Sequence, residues 1–203
     1  MTILALNFYY AKPGQEDAVK RQRIAASDVR DRLKIPRGRA LWLLKGTPAL
    51  PTVIWACEFA DAAAHERDMW TRHYSPEFEA IRAGMRALYV RFERVLYQVE
   101  DGAPAAMLQP FVWQSWWTVP PQFETQLLDT LKGTAAEAHP EGPRGDAILR
   151  RVDGDKGLPI VICAAGFDER KRAMTALADT DGDADGTPRS PLAPVYSLWE
   201  RVD

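Results

Sequence analysis

The chain has 203 residues, 46% hydrophobic and 27% charged, with a formal charge of −2 and a pI near 6.0. That length makes one large domain or two small ones, able to bury about 70% of the surface an unfolded chain exposes. A nearly neutral chain offers no bulk field for nucleic acid or an anionic membrane, so neither is expected as a partner.

No apolar run approaches the roughly 20 residues of a membrane span. The N-terminus "MTILALNFYYAK" has no basic n-region and no small-residue cleavage site, so no signal peptide is expected. The two cysteines, Cys57 and Cys163, sit in apolar runs outside any CxxC or His/Cys metal spacing. A reduced, cytoplasmic setting without a bound metal is the expectation.

In chain order, Ile3–Ala11 is strand-like, and Pro13-Gly14 opens a helix whose apolar stripe is read as Ala18, Gln22, Ala25, Val29 and Leu33. Ala40–Lys45 and Thr52–Phe59 are two strands joined by "GTPALP". Asp61 is a predicted N-cap for a helix from Ala62. Ser75 caps a second helix with Pro76 at N1 and a stripe of Phe78, Ile81, Met85 and Leu88. Val90–Val99 closes the unit as a strand. The second half repeats the order: strand Phe111–Thr118, helix Gln122–Ala138, strands Asp146–Val152 and Ile160–Phe167, a helix over 168–178, and strand Val195–Val202. The region Trp70–Leu88 has no counterpart there; "DTDGDADGTPRSPLAP" stands in its place and reads as an acidic loop rather than a calcium site, because the position of the bidentate Glu holds Leu192.

The halves are copies. "LPTVIWACEF" at Leu50–Phe59 returns as "LPIVICAAGF" at Leu158–Phe167, 108 residues on, and Pro36-Arg37-Gly38 returns as Pro143-Arg144-Gly145, 107 residues on. At the second spacing "YYAKPGQED" falls on "WWTVPPQFE", so Asn7 faces Gln114 and Tyr9 faces Trp116. A period near a hundred residues means a doubled domain, since solenoid units run to about 20–50. The division is 1–101 for the first repeat, 102–110 for a linker and 111–203 for a second, degenerate repeat. β-α-β-β-α-β is the ferredoxin-like unit, an antiparallel sheet with helices on one face. These strands are apolar on both faces, so both must be covered. The fold class expected is α+β, two tandem ferredoxin-like repeats whose sheets face each other as an intrachain pseudo-dimeric α/β barrel. Leu4, Leu6 and Phe8 are assigned to the helices, Asn7 and Tyr9 to the space between the sheets.

The segments "YYAKPGQEDAV" and "ERDMWTRHYSPEFEAIR" resemble the dimeric α/β-barrel superfamily, in particular its NIPSNAP-like and antibiotic-biosynthesis-monooxygenase-like members. The resemblance implies a small-molecule enzyme with a hydrophobic barrel pocket. The reactions implied are those of a cofactor-independent monooxygenase, a cyclase or an isomerase, on an aromatic or polyketide-like substrate. In the monooxygenase-like members, Asn, Trp, Tyr and Arg groups hold an aromatic, acidic substrate whose carbanion meets oxygen without a cofactor. The alternative is a non-catalytic barrel of NIPSNAP-like type that carries a metabolite or haem. The partner expected is a small hydrophobic molecule, and a homo-oligomer is open.

The candidate site follows from residue types. His73, between Trp70 and Tyr74, is a general base or haem ligand in one reading and a partly exposed helix-junction histidine in the other. Asn7 interrupts an apolar strand, and a buried amide needs a partner: a ligand, a neighbouring strand or water. Asn7 and His73 are the catalytic candidates. Tyr9, Trp70, Tyr74, Gln114 and Trp116 are the substrate-binding candidates. The site is expected in the first repeat.

Overall fold

The computed structural model describes residues 2–102, 107, 109–138, 147–152, 161–180 and 194–202. Residues 181–193 of the acidic loop singled out above fall outside them. The first repeat runs β1 (Ile3–Ala11), α1 (Glu16–Arg32), β2 (Arg39–Lys45), β3 (Val53–Phe59), α2 (Ala62–His73), α3 (Pro76–Arg86) and β4 (Tyr89–Gly102). The second runs β5 (Phe111–Trp117), α4 (Glu124–Ala138), β6 (Ala147–Arg151), β7 (Val161–Phe167), α5 (Arg170–Thr180) and β8 (Val195–Val202). Both predicted caps hold: the Asp61 carboxylate accepts from Ala64 N at 2.7 Å and the Ser75 hydroxyl from Phe78 N at 3.2 Å. No helix among the described residues is long and apolar enough to cross a membrane.

The eight strands close into a barrel in the order β1-β3-β2-β8-β5-β7-β6-β4, every pair antiparallel. Each repeat supplies a four-stranded sheet of the same internal order, β4-β1-β3-β2 and β8-β5-β7-β6. The sheets join along two seams, β2 with β8 and β4 with β6. This is the pseudo-dimeric barrel that two apolar-faced sheets require, and it lies within one chain.

The assignment of strand faces is corrected. Leu4, Leu6 and Phe8 belong to the barrel interior, packed with Ile54, Val95 and Tyr97 of their own repeat and with Val112, Leu149, Ile162 and Trp199 of the other. Phe8 lies 5.4 Å from the Trp116 ring, which stacks on Trp199 at 6.2 Å. Asn7 and Tyr9 point the other way, toward the helices. The spacing that relates the interiors is 108 throughout: Leu4, Leu6 and Phe8 match Val112, Gln114 and Trp116, Leu41 matches Leu149, and Ile54 and Ala56 match Ile162 and Ala164. Matching Asn7 to Gln114 shifts β1 by one residue, and a one-residue shift exchanges the faces of a strand.

The outer face of the first sheet is covered by α1, α2 and α3 around Val19, Val53, Cys57, Phe59 and Met85. In the second repeat Leu128 of α4 packs with Ile148 and Val161, and Ala173 of α5 with Phe167 and Leu198. The buried stripe of α1 is Val19, Arg23, Ala26, Ser27 and Arg30, with Val29 beside it, one position round from the stripe read off the apolar residues.

Candidate functional site

The pleat of three adjacent strands builds the floor of a site. Asn7 of β1 lies directly opposite Trp55 of β3 and Arg94 of β4, and Tyr9 lies opposite Val53 and Phe92. Arg23 and Arg30 of α1, Arg72 of α2, and Phe78, Ile81 and Met85 of α3 form the roof. Arg82, Arg86 and Tyr89 complete the lining of a cavity of about 280 Å³. All fourteen lining residues come from the first repeat. The expected hydrophobic pocket between the sheets is thus corrected on two counts: the cavity lies between sheet and helices, and six of its lining residues are arginines.

A buried guanidinium costs several kcal/mol unless it is paired. One carboxylate serves two of them. Asp68, itself buried, takes Arg30 on both oxygens and receives Arg72 Nε at 2.8 Å. Arg30 also donates through Nε to the Pro36 carbonyl and sits 4.6 Å from the Trp55 ring. At the mouth Glu79 pairs with Arg82 at 2.7 Å and with Arg86 at 3.9 Å.

Arg23 and Arg94 have no carboxylate partner among the described residues. Arg23 is buried with its guanidinium near the Tyr9 and Trp55 rings, at 5.4 and 5.2 Å. Its Nη1 donates to the Tyr9 hydroxyl at 3.3 Å, and its Nε is buried without a partner. Burial pushes the Arg23 pKa down and the Tyr9 hydroxyl opposes it, yet a guanidinium stays charged in a protein. Arg94 enters from the solvent-exposed rim and donates through Nε to Asn7 Oδ1 at 3.3 Å and through Nη1 to Met69 Sδ at 3.0 Å. The Asn7 and Tyr9 side-chain oxygens each accept from an arginine, and both residues line the cavity.

The predicted site residues divide into three groups. Asn7 and Tyr9 line the cavity. Gln114 and Trp116 are inside the barrel, across the sheet wall; Trp116 Nε1 donates to Gln114 Oε1 at 2.9 Å, and Gln114 Nε2 donates to Met107 Sδ at 3.2 Å. The Gln114 amide is therefore satisfied internally. Trp70, His73 and Tyr74 form an exposed cluster at the end of α2, with Trp70 stacked on Tyr74 at 5.8 Å and His73 edge-on to both, and none of the three lines the cavity. Among the described residues no histidine lines the cavity.

No family model matches the chain, and no curated protein matches it. Solved structures do. An anthrone oxidase-like protein superposes with a TM-score of 0.62 at 12% identity, over 100% of this chain and 91% of its own. A candidate monooxygenase from Fusobacterium nucleatum gives 0.60 at 9% identity, over 100% and 93%. One from Lactobacillus acidophilus gives 0.58 at 9% identity, over 98% and 93%. The fold is that of the dimeric α/β-barrel proteins. Identities this low carry the fold and leave the chemistry to the site.

Arg23 and Arg30 are the site residues that apolar periodicity passes over. Their signal was present: Val19, Arg23, Ala26 and Arg30 follow i, i+4, i+7 and i+11, one continuous helix face. Two cations on a buried face, each four residues beyond an apolar one, mark a helix lying over a polar chamber.

Proposed function

We propose that the chain is a cofactor-independent oxygenase for a small aromatic, polyketide-like substrate, seated between the first sheet and α1–α3. The observation that carries the reading is the cavity itself: aromatic rings of Tyr9, Trp55, Phe78, Tyr89 and Phe92 around guanidinium, amide and phenol donors. Rings bind a flat molecule, and donors aimed at one place stabilise negative charge as it develops. A substrate with an acidic methylene between aromatic rings and conjugated to a carbonyl, as in an anthrone, suits both.

The chain's part is to bind that molecule and favour its anion. The methylene loses a proton to solvent, and the resulting negative charge spreads to a conjugated oxygen inside the arginine-lined cavity. The carbanion passes electrons to dioxygen and a carbon–oxygen bond forms. The peroxide takes up a proton, then loses water to leave a carbonyl. One dioxygen is consumed and one water released for each methylene oxidised, with no outside reductant. An anthrone oxidase-like protein shares the fold, which makes an anthrone the first substrate to try.

The test is oxygen uptake with 1,8-dihydroxyanthrone, corrected for its spontaneous oxidation. The wild type is expected to accelerate uptake. Arg94→Met is expected to lose at least about tenfold of that acceleration, the size of one charged hydrogen bond. Wild-type uptake no faster than the uncatalysed reaction would reject the reading.

A further inference from the structure

The donors of this cavity are not matched by acceptors. Asp68 is consumed by Arg30 and Arg72, and Glu79 by Arg82 and Arg86. Arg23 and Arg94 remain, and guanidinium groups donate only. Asn7 Oδ1 is taken by Arg94 and the Tyr9 oxygen by Arg23. An occupant that brings acceptors and negative charge therefore complements Arg23 and Arg94. Aromatic side chains bound the space, so its body is flat and apolar.

We propose that the cavity binds an aromatic carboxylate, its carboxylate held between Arg23 and Arg94 with the Asn7 amide and the Tyr9 hydroxyl as further donors. The planar fork of a guanidinium matches a carboxylate, and about 280 Å³ of ring-lined space favours it over a phosphate by leaving little room for a hydrated dianion. At that volume, near the small end of the roughly 300–1,000 Å³ of ligand sites, the body is one to three rings. The carboxylate is a permanent anchor, separate from the carbon that reacts. The inference rests on the oxygenase reading only for the cavity being the substrate's seat.

Equilibrium binding of 2-naphthoate and its neutral isostere 2-naphthamide to the full chain, followed by tryptophan fluorescence and calorimetry, tests this without turnover. The acid is expected to bind about tenfold or more tightly than the amide, as charge-assisted hydrogen bonds require. Arg23→Met and Arg94→Met should each erase the preference while leaving amide binding in place. Arg23→Met is expected to melt no lower than the wild type, because it removes a buried unpaired cation; should it fail to fold, Arg23→Lys and Arg94→Met carry the test. Equal binding of acid and amide, no binding of either, or a preference that survives both substitutions overturns the proposal. A preference for the acid without any anthrone oxidation would sink the oxygenase reading and leave this one standing.

Discussion

Cys57 shows how burial decides the chemistry of a single side chain. Its sulfur lies 3.8 Å from Arg30 Nη2, and that cation favours a thiolate. Burial acts more strongly and pushes the thiol up to about 11 from an ordinary 9.0. An unfolded chain releases this proton from pH 9 upward, while the folded chain holds it to about 11. The stability the thiol contributes is whole below pH 9 and is lost between 9 and 11. The expected loss is up to about 1.4 kcal/mol per pH unit. Chemical denaturation at pH 8 and 10.5 should therefore show a larger fall for the wild type than for Cys57→Ala; parallel falls would contradict the assignment. At this scale sequence reading is least able to choose. Asn7 and Tyr9 were legible as unusual members of β1, yet both faces of that strand are apolar, so alternation alone does not say which faces the helices.

Among the elements, the loop before β2 shapes the site by what it lacks. Gly38 has φ +71°, and a Cβ there would meet the Trp55 ring at 2.5 Å. Trp55 is the floor beneath Arg23 and Arg30, so the turn fixes the ring that fixes the guanidiniums. Gly38→Ala is expected to cost at least about 1 kcal/mol in urea denaturation and to weaken 2-naphthoate binding together with it. Unchanged stability would mean that the ring moves aside freely. Elements were the most legible level. Caps at Asp61 and Ser75, the order of strands and helices, and the stripe of α3 all follow from local chemistry that tertiary packing does not override. The stripe of α1 was misplaced by one position because it pays for its polar face inside the protein, where periodicity expects only apolar residues.

For the whole molecule, the doubled sequence and two-faced strands pointed to closure, and closure is what the two seams achieve. The location of the chamber was not legible, since the same strands wall the barrel interior on one side and the cavity on the other. Residues 1–101 alone would expose Leu4, Leu6, Phe8 and Ile54 to water. That fragment is expected to elute at twice its mass or above in size-exclusion chromatography, pairing its open sheet with a second copy. A stable monomer would argue that the interior contributes little.

The sheet is a party wall. Behind it, Phe8, Trp116 and Trp199 interlock both repeats; in front, the described residues around the arginine-lined room all belong to the first repeat. Side chains can be exchanged on the cavity side while the masonry shared with the sister repeat stays in place, so a change of occupant need not loosen the joint that holds the halves together.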